Sequence, residues 1–146
     1  MKRAGKISPL ILGGVVGVVA LLALIFLMQT TDSAGLRVDK FLTALGKADV
    51  NGIMATSTFG DEPAEAVRAK WQKCLDRTKY YRFYWQVKST STTSPDEGNV
   101  TVDMYKDAGN IQTYPSKVQI PVVRINGEWY VDARAIDRES YPALPR

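Results

Sequence analysis

The apolar positions of the chain follow three patterns in succession, and the first is an unbroken run. Leu10–Met28 holds nineteen residues and no charged, amide or hydroxyl side chain. A helix of that length rises roughly 28 Å, close to the hydrocarbon thickness of a bilayer at about 30 Å. The run therefore predicts a single membrane-spanning helix over residues 10–28.

The charges before this run predict its orientation. Lys2, Arg3 and Lys6 precede it without any acid. Because cytoplasmic flanks of membrane helices are enriched in cations, residues 1–9 are predicted to be cytoplasmic, and the rest of the chain periplasmic or extracytoplasmic, at the plasma (inner) membrane. A cleaved signal peptide is the alternative. Its apolar core usually spans only about 7–15 residues before a small-x-small cleavage site, which the chain lacks, so we expect an uncleaved anchor.

Gly13 and Gly17 form a GxxxG pair on one face of this predicted membrane helix, and Ala20 and Leu24 continue that face. Such a face lets another helix approach closely in lipid, although glycine is also common in membrane helices generally.

Helical spacing is the second pattern, and it follows a polar linker at residues 29–35. A first helix is predicted over residues 36–48, and a short second helix follows Asp49 as its N-cap. Asp61-Glu62-Pro63 is a start signal for a third helix that ends at about Arg77. Its predicted apolar face consists of Ala64, Val67, Trp71, Cys74, Leu75 and Thr78.

Alternation with a period of two is the third pattern, and it is typical of strands. Asn126-Gly127 predicts a tight hairpin turn, and residues 89–98 a polar loop. The predicted fold class is α+β: the membrane helix, then two or three helices packed on a curved four-stranded antiparallel sheet. The four strands are centred on Tyr81–Lys88, Val100–Tyr105, Lys117–Ile125 and Glu128–Asp132.

Charge is nearly balanced outside the predicted anchor. The whole chain carries 19 cations and 15 acids. Residues 1–28 contain three of those cations and no acid, so the remainder carries 16 cations and 15 acids. A net charge of +1 gives no support to nucleic-acid binding.

The chain has no histidine and one cysteine, Cys74. An intramolecular disulfide, histidine-based catalysis and most zinc or haem sites are therefore excluded. We predict no cofactor or metal, and we expect the Cys74 thiol and the Trp71 indole to lie in the core.

Two segments carry a resemblance to a known superfamily: VDKFLTALGKADV from Val38 and VQIPVVRINGEWYVD from Val118. With the element order, they make residues 36–133 similar to nuclear transport factor 2-like domains, also called cystatin-like or SnoaL-like. The resemblance implies a sheet wrapped around a long helix. Its members include isomerases, dehydratases, ligand binders and scaffolds, among them anchored scaffolds of type IV secretion systems.

Our first functional expectation is a non-catalytic accessory or assembly subunit of a larger membrane complex. Its partners would be membrane lipid and other subunits. The second is a binding module for a small apolar ligand or peptide, whose pocket residues would equally suit a filled core. The residues of this pocket or core are Trp71, Tyr81, Phe83, Trp85 and Met104.

An isomerase- or dehydratase-like enzyme is the third expectation, and the resemblance implies a buried Asp with Tyr donors. The residue types available are Asp103, Asp132, Tyr84 and Tyr105. Alternation places Asp103 opposite the apolar face of its strand and Asp132 at a strand end, so we expect both to be surface acids and predict no catalysis.

Two further segments are candidates for contacts. A basic cluster is predicted either as a solvated helix face or as a contact for anionic lipid or an acidic partner. Residues 134–146 are predicted to be an extended tail, in which Tyr141–Pro145 would dock in a partner's groove or be disordered. The basic cluster consists of Arg68, Lys70, Lys73 and Arg77.

Overall fold

The computed structural model describes residues 33–107 and 115–146. The predicted membrane helix, with Gly13, Gly17, Ala20 and Leu24, lies outside these residues. Within them, no helix is long and apolar enough to cross a bilayer. Three helices precede or interrupt the strands: α1 (Ala34–Gly46), α2 (Val50–Thr56) and α3 (Ala64–Arg77).

Helix α1 begins where the sequence provides a cap. The Ser33 hydroxyl accepts a hydrogen bond from the Leu36 amide at 3.1 Å, which satisfies one of the free amides at the helix start. The apolar stripe of α1 then faces the sheet, and α1 contacts β2, β3, β4 and β5. Its buried residues are Ala34, Val38, Phe41, Leu42, Ala44 and Leu45.

The sheet has five strands in the order β1-β5-β4-β3-β2. They are β1 (Ser57–Thr58), β2 (Arg82–Ser94), β3 (Glu97–Asp107), β4 (Ser116–Ile125) and β5 (Glu128–Asp132). The prediction of a four-stranded antiparallel sheet is wrong, because β1 adds a short strand that pairs in parallel with β5. Two residues are too few to produce a periodic signal in the sequence.

The prediction of a polar loop at residues 89–98 is also wrong, because β2 continues to Ser94 and β3 begins at Glu97. Ser91 pairs with Asn99 and Thr92 with Gly98. A side chain at Gly98 would place its Cβ 2.7 Å from the Ser91 carbonyl oxygen, so this close pairing requires glycine.

The inner face of the sheet carries the core. Val100, Val102 and Met104 alternate along β3 and are at most 1% exposed. They pack with the apolar stripes of α1 and α3 and with inward residues of β4 and β5. The outer face carries the intervening residues, among them Thr101, Asp103 and Tyr105.

Residues 134–146 correct the prediction of an extended tail. They form successive turns that return to the domain, and Ile136 and Tyr141 are buried. The Arg146 guanidinium donates to the carbonyl oxygens of Arg134 at 2.9 Å and Ile136 at 3.2 Å. Burying each large apolar side chain contributes roughly 1.5–3 kcal/mol, enough to oppose the entropy of a free terminus.

Candidate functional site

The five predicted pocket or core residues are divided between the core and its margin. Trp71 is completely buried, Met104 is 1% exposed and Phe83 is 7% exposed. The Trp71 ring meets the Phe41 ring edge-on, with 5.9 Å between centroids. These contacts fill the space between α1, α3 and the sheet.

Trp85 and Tyr81 are half-buried and flank Phe83 at the edge of this core. The Trp85 indole donates to the Asp39 carboxylate at 2.8 Å, which ties β2 to α1. Neighbouring ring centroids are 5.4 Å apart for Phe83 and Trp85 and 6.0 Å apart for Tyr81 and Phe83. The strand residues therefore form one aromatic row.

Tyr141 from the C-terminal segment completes this row. Its ring lies edge-on to Tyr81 at 5.1 Å and to Phe83 at 5.5 Å. Its hydroxyl donates to the Thr78 hydroxyl oxygen at 3.0 Å, and the Thr78 hydroxyl donates to the Cys74 carbonyl at 3.0 Å. We call these residues the Tyr141 cluster: Cys74, Thr78, Tyr81, Phe83 and Tyr141.

A cleft of about 300 Å³ opens beside the Tyr141 cluster. It lies between the end of α1, the end of α3 and the start of β2, and Leu45, Thr78, Tyr81 and Tyr141 line it. The Tyr81 hydroxyl is buried without a hydrogen-bond partner among the described residues. A buried unpaired hydroxyl is costly, so it is a natural point for a bound polar group.

Burial raises the pKa of three groups in the Tyr141 cluster. The pKa of the Cys74 thiol rises to about 11, although Thr78 and the charge of Arg77 act in the opposite direction. Burial also raises the pKa values of Tyr81 and Tyr141. The neutral, protonated forms are therefore favoured, which suits a structural cluster rather than a nucleophile.

These shifts predict alkaline destabilisation. Above pH 9 the unfolded chain loses the Cys74 proton while the folded chain retains it up to about pH 11, so stability present below pH 9 is lost through this window. The thiol contributes up to about 2 kcal/mol of the loss. The test is the melting temperature of the chain and of Cys74→Ala from pH 7 to 11. The melting temperature of the variant should fall less steeply with rising pH. Parallel curves for the two proteins would contradict the prediction.

Of the four residues that the enzyme alternative would use, three come together on the outer face of the sheet. Tyr84 on β2 lies directly opposite Tyr105 on β3, and Asp103 follows two residues away on the same face. Asp132 is elsewhere: it lies on β5, with β4 between it and β3. Its carboxylate accepts a hydrogen bond from the Arg134 amide at 3.2 Å.

Asp103 corrects the prediction of a solvent-exposed acid, because it is only 7% exposed. The alternation of the strand predicted the correct face for Asp103, but it could not predict that long neighbouring side chains cover the carboxylate. The Lys88 ammonium lies 3.4 Å from Asp103 Oδ2, and Gln86 and Lys117 are its partners in register. Asp103 Oδ1 has no hydrogen-bond partner among the described residues.

The outer face also exposes large aromatic surface. Tyr84 is 67% exposed on the edge strand β2, where it lies opposite Tyr105 of β3. Tyr80, just before β2, is 82% exposed. We call Tyr84 and Tyr105 the outer-face tyrosine pair. Residues of this type are enriched in the energetic centres of protein interfaces.

Three of the four residues of the predicted basic cluster lie together in the structure. Lys70, Lys73 and Arg77 share one cleft between α3 and the C-terminal segment, with a volume of about 210 Å³, and Arg146 also lines it. Arg68 instead donates to the Asn51 side chain at 2.7 Å. Sequence patterns gave no sign of Arg146, and they assigned Tyr141 to a partner's groove or to disorder rather than to this domain, because their contacts join residues far apart in the chain.

No group of three or more histidine, cysteine, aspartate or glutamate side chains in residues 33–107 and 115–146 is placed to hold a metal ion. Comparisons with known proteins found no matching protein-family model. They found no significantly similar curated protein.

Solved structures with a related fold were found. A candidate calcium/calmodulin-dependent protein kinase type II association domain from Thiobacillus denitrificans is 18% identical, with a TM-score of 0.48, covering 65% of this chain and 86% of its own. A nuclear transport factor 2-like protein of unknown function from Shewanella oneidensis is 11% identical, with a TM-score of 0.46 and coverages of 66% and 88%.

A ketosteroid isomerase-like protein from Erwinia carotovora atroseptica is 17% identical, with a TM-score of 0.43 and coverages of 66% and 85%. Two of these neighbours are named as nuclear transport factor 2-like and ketosteroid isomerase-like proteins. At these identities the similarity concerns the fold alone.

Proposed function

We propose that this nuclear transport factor 2-like domain is the extracytoplasmic part of a non-catalytic accessory subunit, which docks a partner protein of a membrane complex. The outer-face tyrosine pair is the observation that carries the proposal. Tyr84 keeps 67% of its surface exposed on the edge strand β2. An exposed aromatic side chain on a rigid strand supplies contact area at little entropic cost.

The arrangement of acids supports a non-catalytic role. A general base of this type needs a carboxylate in a concave site within hydrogen-bond reach of its substrate. Asp103 is instead paired with Lys88 on the outer face, and Asp132 accepts from a backbone amide at a strand end. The interior that could enclose a substrate is occupied by Trp71 and Met104.

The sequence also supports attachment to a membrane. The predicted single-pass anchor at residues 10–28 would hold the domain at the extracytoplasmic surface, and its small-residue face would contact other membrane helices. In that arrangement the anchor and the outer-face tyrosine pair would engage two parts of one assembly, which raises the effective concentration of the second contact.

The test compares native complexes of the full chain and a Tyr84→Ser, Tyr105→Ser double variant. The tagged chain is expressed in its own cell, extracted in mild detergent and sized by native electrophoresis. We expect the full chain in a large assembly and the double variant mostly released. Lys40→Ser, Arg138→Ser is the control, since both residues are exposed and lie off the outer face. Equal recovery of both double variants in the assembly would contradict the proposal.

A small apolar ligand with one polar group is the second candidate, favoured by the unpaired Tyr81 hydroxyl beside the 300 Å³ cleft. Such a ligand would accept the Tyr81 hydrogen bond and cover part of the aromatic row. A lipid extract of the source cell should then raise the melting temperature of the full chain, and Tyr81→Phe should reduce that rise. If the lipid extract raised the melting temperature of neither protein, this candidate function would be ruled out.

A further inference from the structure

We propose that the cleft between α3 and the C-terminal segment binds a phosphate group. The cleft has a volume of about 210 Å³ and is lined by four cationic side chains: Lys70, Lys73, Arg77 and Arg146. No acidic side chain lines it. This site is separate from the outer-face tyrosine pair and goes beyond the proposed docking function.

The three cations of α3 form one stripe along the helix. Lys70, Lys73 and Arg77 are spaced at i, i+3 and i+7, so each lies next to another of the same sign. Like charges at this spacing destabilise a helix. The last turn tolerates Arg77 because cations are favourable at a helix C-terminus, but that effect fades within one turn and does not account for Lys73 or Lys70.

Two nearby acids, Glu62 and Asp76, offset only part of the charge of the four cations. Glu62 pairs with Lys70 at 2.7 Å. Asp76, which precedes Arg77, accepts a hydrogen bond from the neutral Gln72 amide at 3.0 Å and keeps its own negative charge. Within the described part of the chain, the Lys73 and Arg77 side chains make no hydrogen bond or ion pair, and both are exposed. Two cations are therefore available to a ligand from solvent.

The fourth cation is fixed by the fold. The Arg146 guanidinium donates to the carbonyl oxygens of Arg134 and Ile136, which orients it without neutralising its charge. The buried Tyr141 and Pro145 hold the same segment against the domain. The cleft thus joins a rigid helix to an anchored segment, and it does not depend on a flexible terminus.

A phosphate group matches this arrangement in charge and in hydrogen bonding. A phosphate monoester carries about −1.5 to −2 charges at neutral pH and offers three strong acceptor oxygens. Arginine binds such a group through two parallel hydrogen bonds, and lysine adds a point charge. Leu144 adds an apolar side chain to the cleft. The phosphate would come from a lipid head group or from a soluble phosphate ester.

Calorimetric titration of the full chain in neutral detergent tests this proposal. The probes are inorganic phosphate and dihexanoyl phosphatidic acid, at constant ionic strength set with chloride. The double variant Lys73→Gln, Arg77→Gln should bind about tenfold or more weakly to whichever probe binds the full chain. Lys40→Gln, Arg138→Gln removes the same charges elsewhere and should leave binding within about twofold. Thermal melting of each variant verifies that it is folded.

The two probes distinguish the sources. Similar affinities would assign the site to the phosphate group itself, and clearly tighter binding of the phosphatidic acid would assign it to a lipid head group. The proposal is overturned if neither probe binds the full chain more tightly than the Lys73→Gln, Arg77→Gln variant. It is equally overturned if the Lys40→Gln, Arg138→Gln variant loses as much affinity.

Discussion

Replacing Trp71 with alanine is expected to lower the free energy of unfolding by about 4 kcal/mol. The side chain is completely buried and packs edge-on against Phe41 at 5.9 Å between ring centroids. Truncation removes this contact and leaves a cavity between α1, α3 and the sheet. Urea denaturation followed by far-ultraviolet circular dichroism measures the change.

Two companion variants make this result interpretable. Trp71→Phe should lose only about 1–2 kcal/mol, and it keeps the prediction testable if the alanine variant does not fold. Trp85→Phe removes a half-buried indole and its hydrogen bond to Asp39, at about 1 kcal/mol. A loss below about 1 kcal/mol for Trp71→Ala would mean that the indole borders open space and that the interior is a pocket.

Replacing Tyr141 with alanine is expected to lower the free energy of unfolding by about 3 kcal/mol. The ring is 4% exposed and is held between Tyr81, Phe83 and Thr78. Tyr141→Phe retains the ring contacts and removes only the hydrogen bond to Thr78, so it should lose about 1 kcal/mol. Chemical denaturation of the three proteins separates the ring from the hydroxyl.

Tyr80→Ala is the matched control, because Tyr80 is 82% exposed. We expect it to change stability by less than about 0.5 kcal/mol. If Tyr141→Ala and Tyr80→Ala were equally mild, the C-terminal segment would not be docked in solution. The cleft between α3 and the C-terminal segment would then lack Arg146, and the phosphate site would lose one of its four cations.

The helices and the core could be read from the sequence because their signals are local. Asp49 precedes α2 as its N-cap residue, as predicted, and Phe41 and Trp71 lie on stripes whose period matches a helix. The inward residues of β3 alternate as predicted. In each case the pattern of burial repeats over several turns or several strand residues, which is enough to identify both the element and its buried face.

The second half of β2 could not be predicted in this way. Residues 89–94 are polar and nearly all exposed, so no apolar alternation marks them. They form a strand because threonine suits extended backbone and because β3 offers a ladder of partners up to Glu97. The short strand β1 depends likewise on its partner β5 rather than on its own two residues.

The sites depended on contacts that no local pattern records. Asp103 lies on the predicted face, but its burial comes from Lys88 and from neighbours on two strands. Tyr141 meets Thr78 across 63 positions of the chain. Lys70, Lys73 and Arg77 were recognisable as a basic stripe, whereas the cleft required Arg146 to return to the same place.

Site-specific photocrosslinking in native membranes tests the docking surface most directly. A photoreactive phenylalanine analogue replaces Tyr84 in the full chain, and Glu65 or Arg138 in two controls that are also exposed. Docking through the outer-face tyrosine pair predicts one discrete adduct with a partner protein from position 84 and none from positions 65 and 138. Adducts from the control positions alone, or none from position 84, would contradict it.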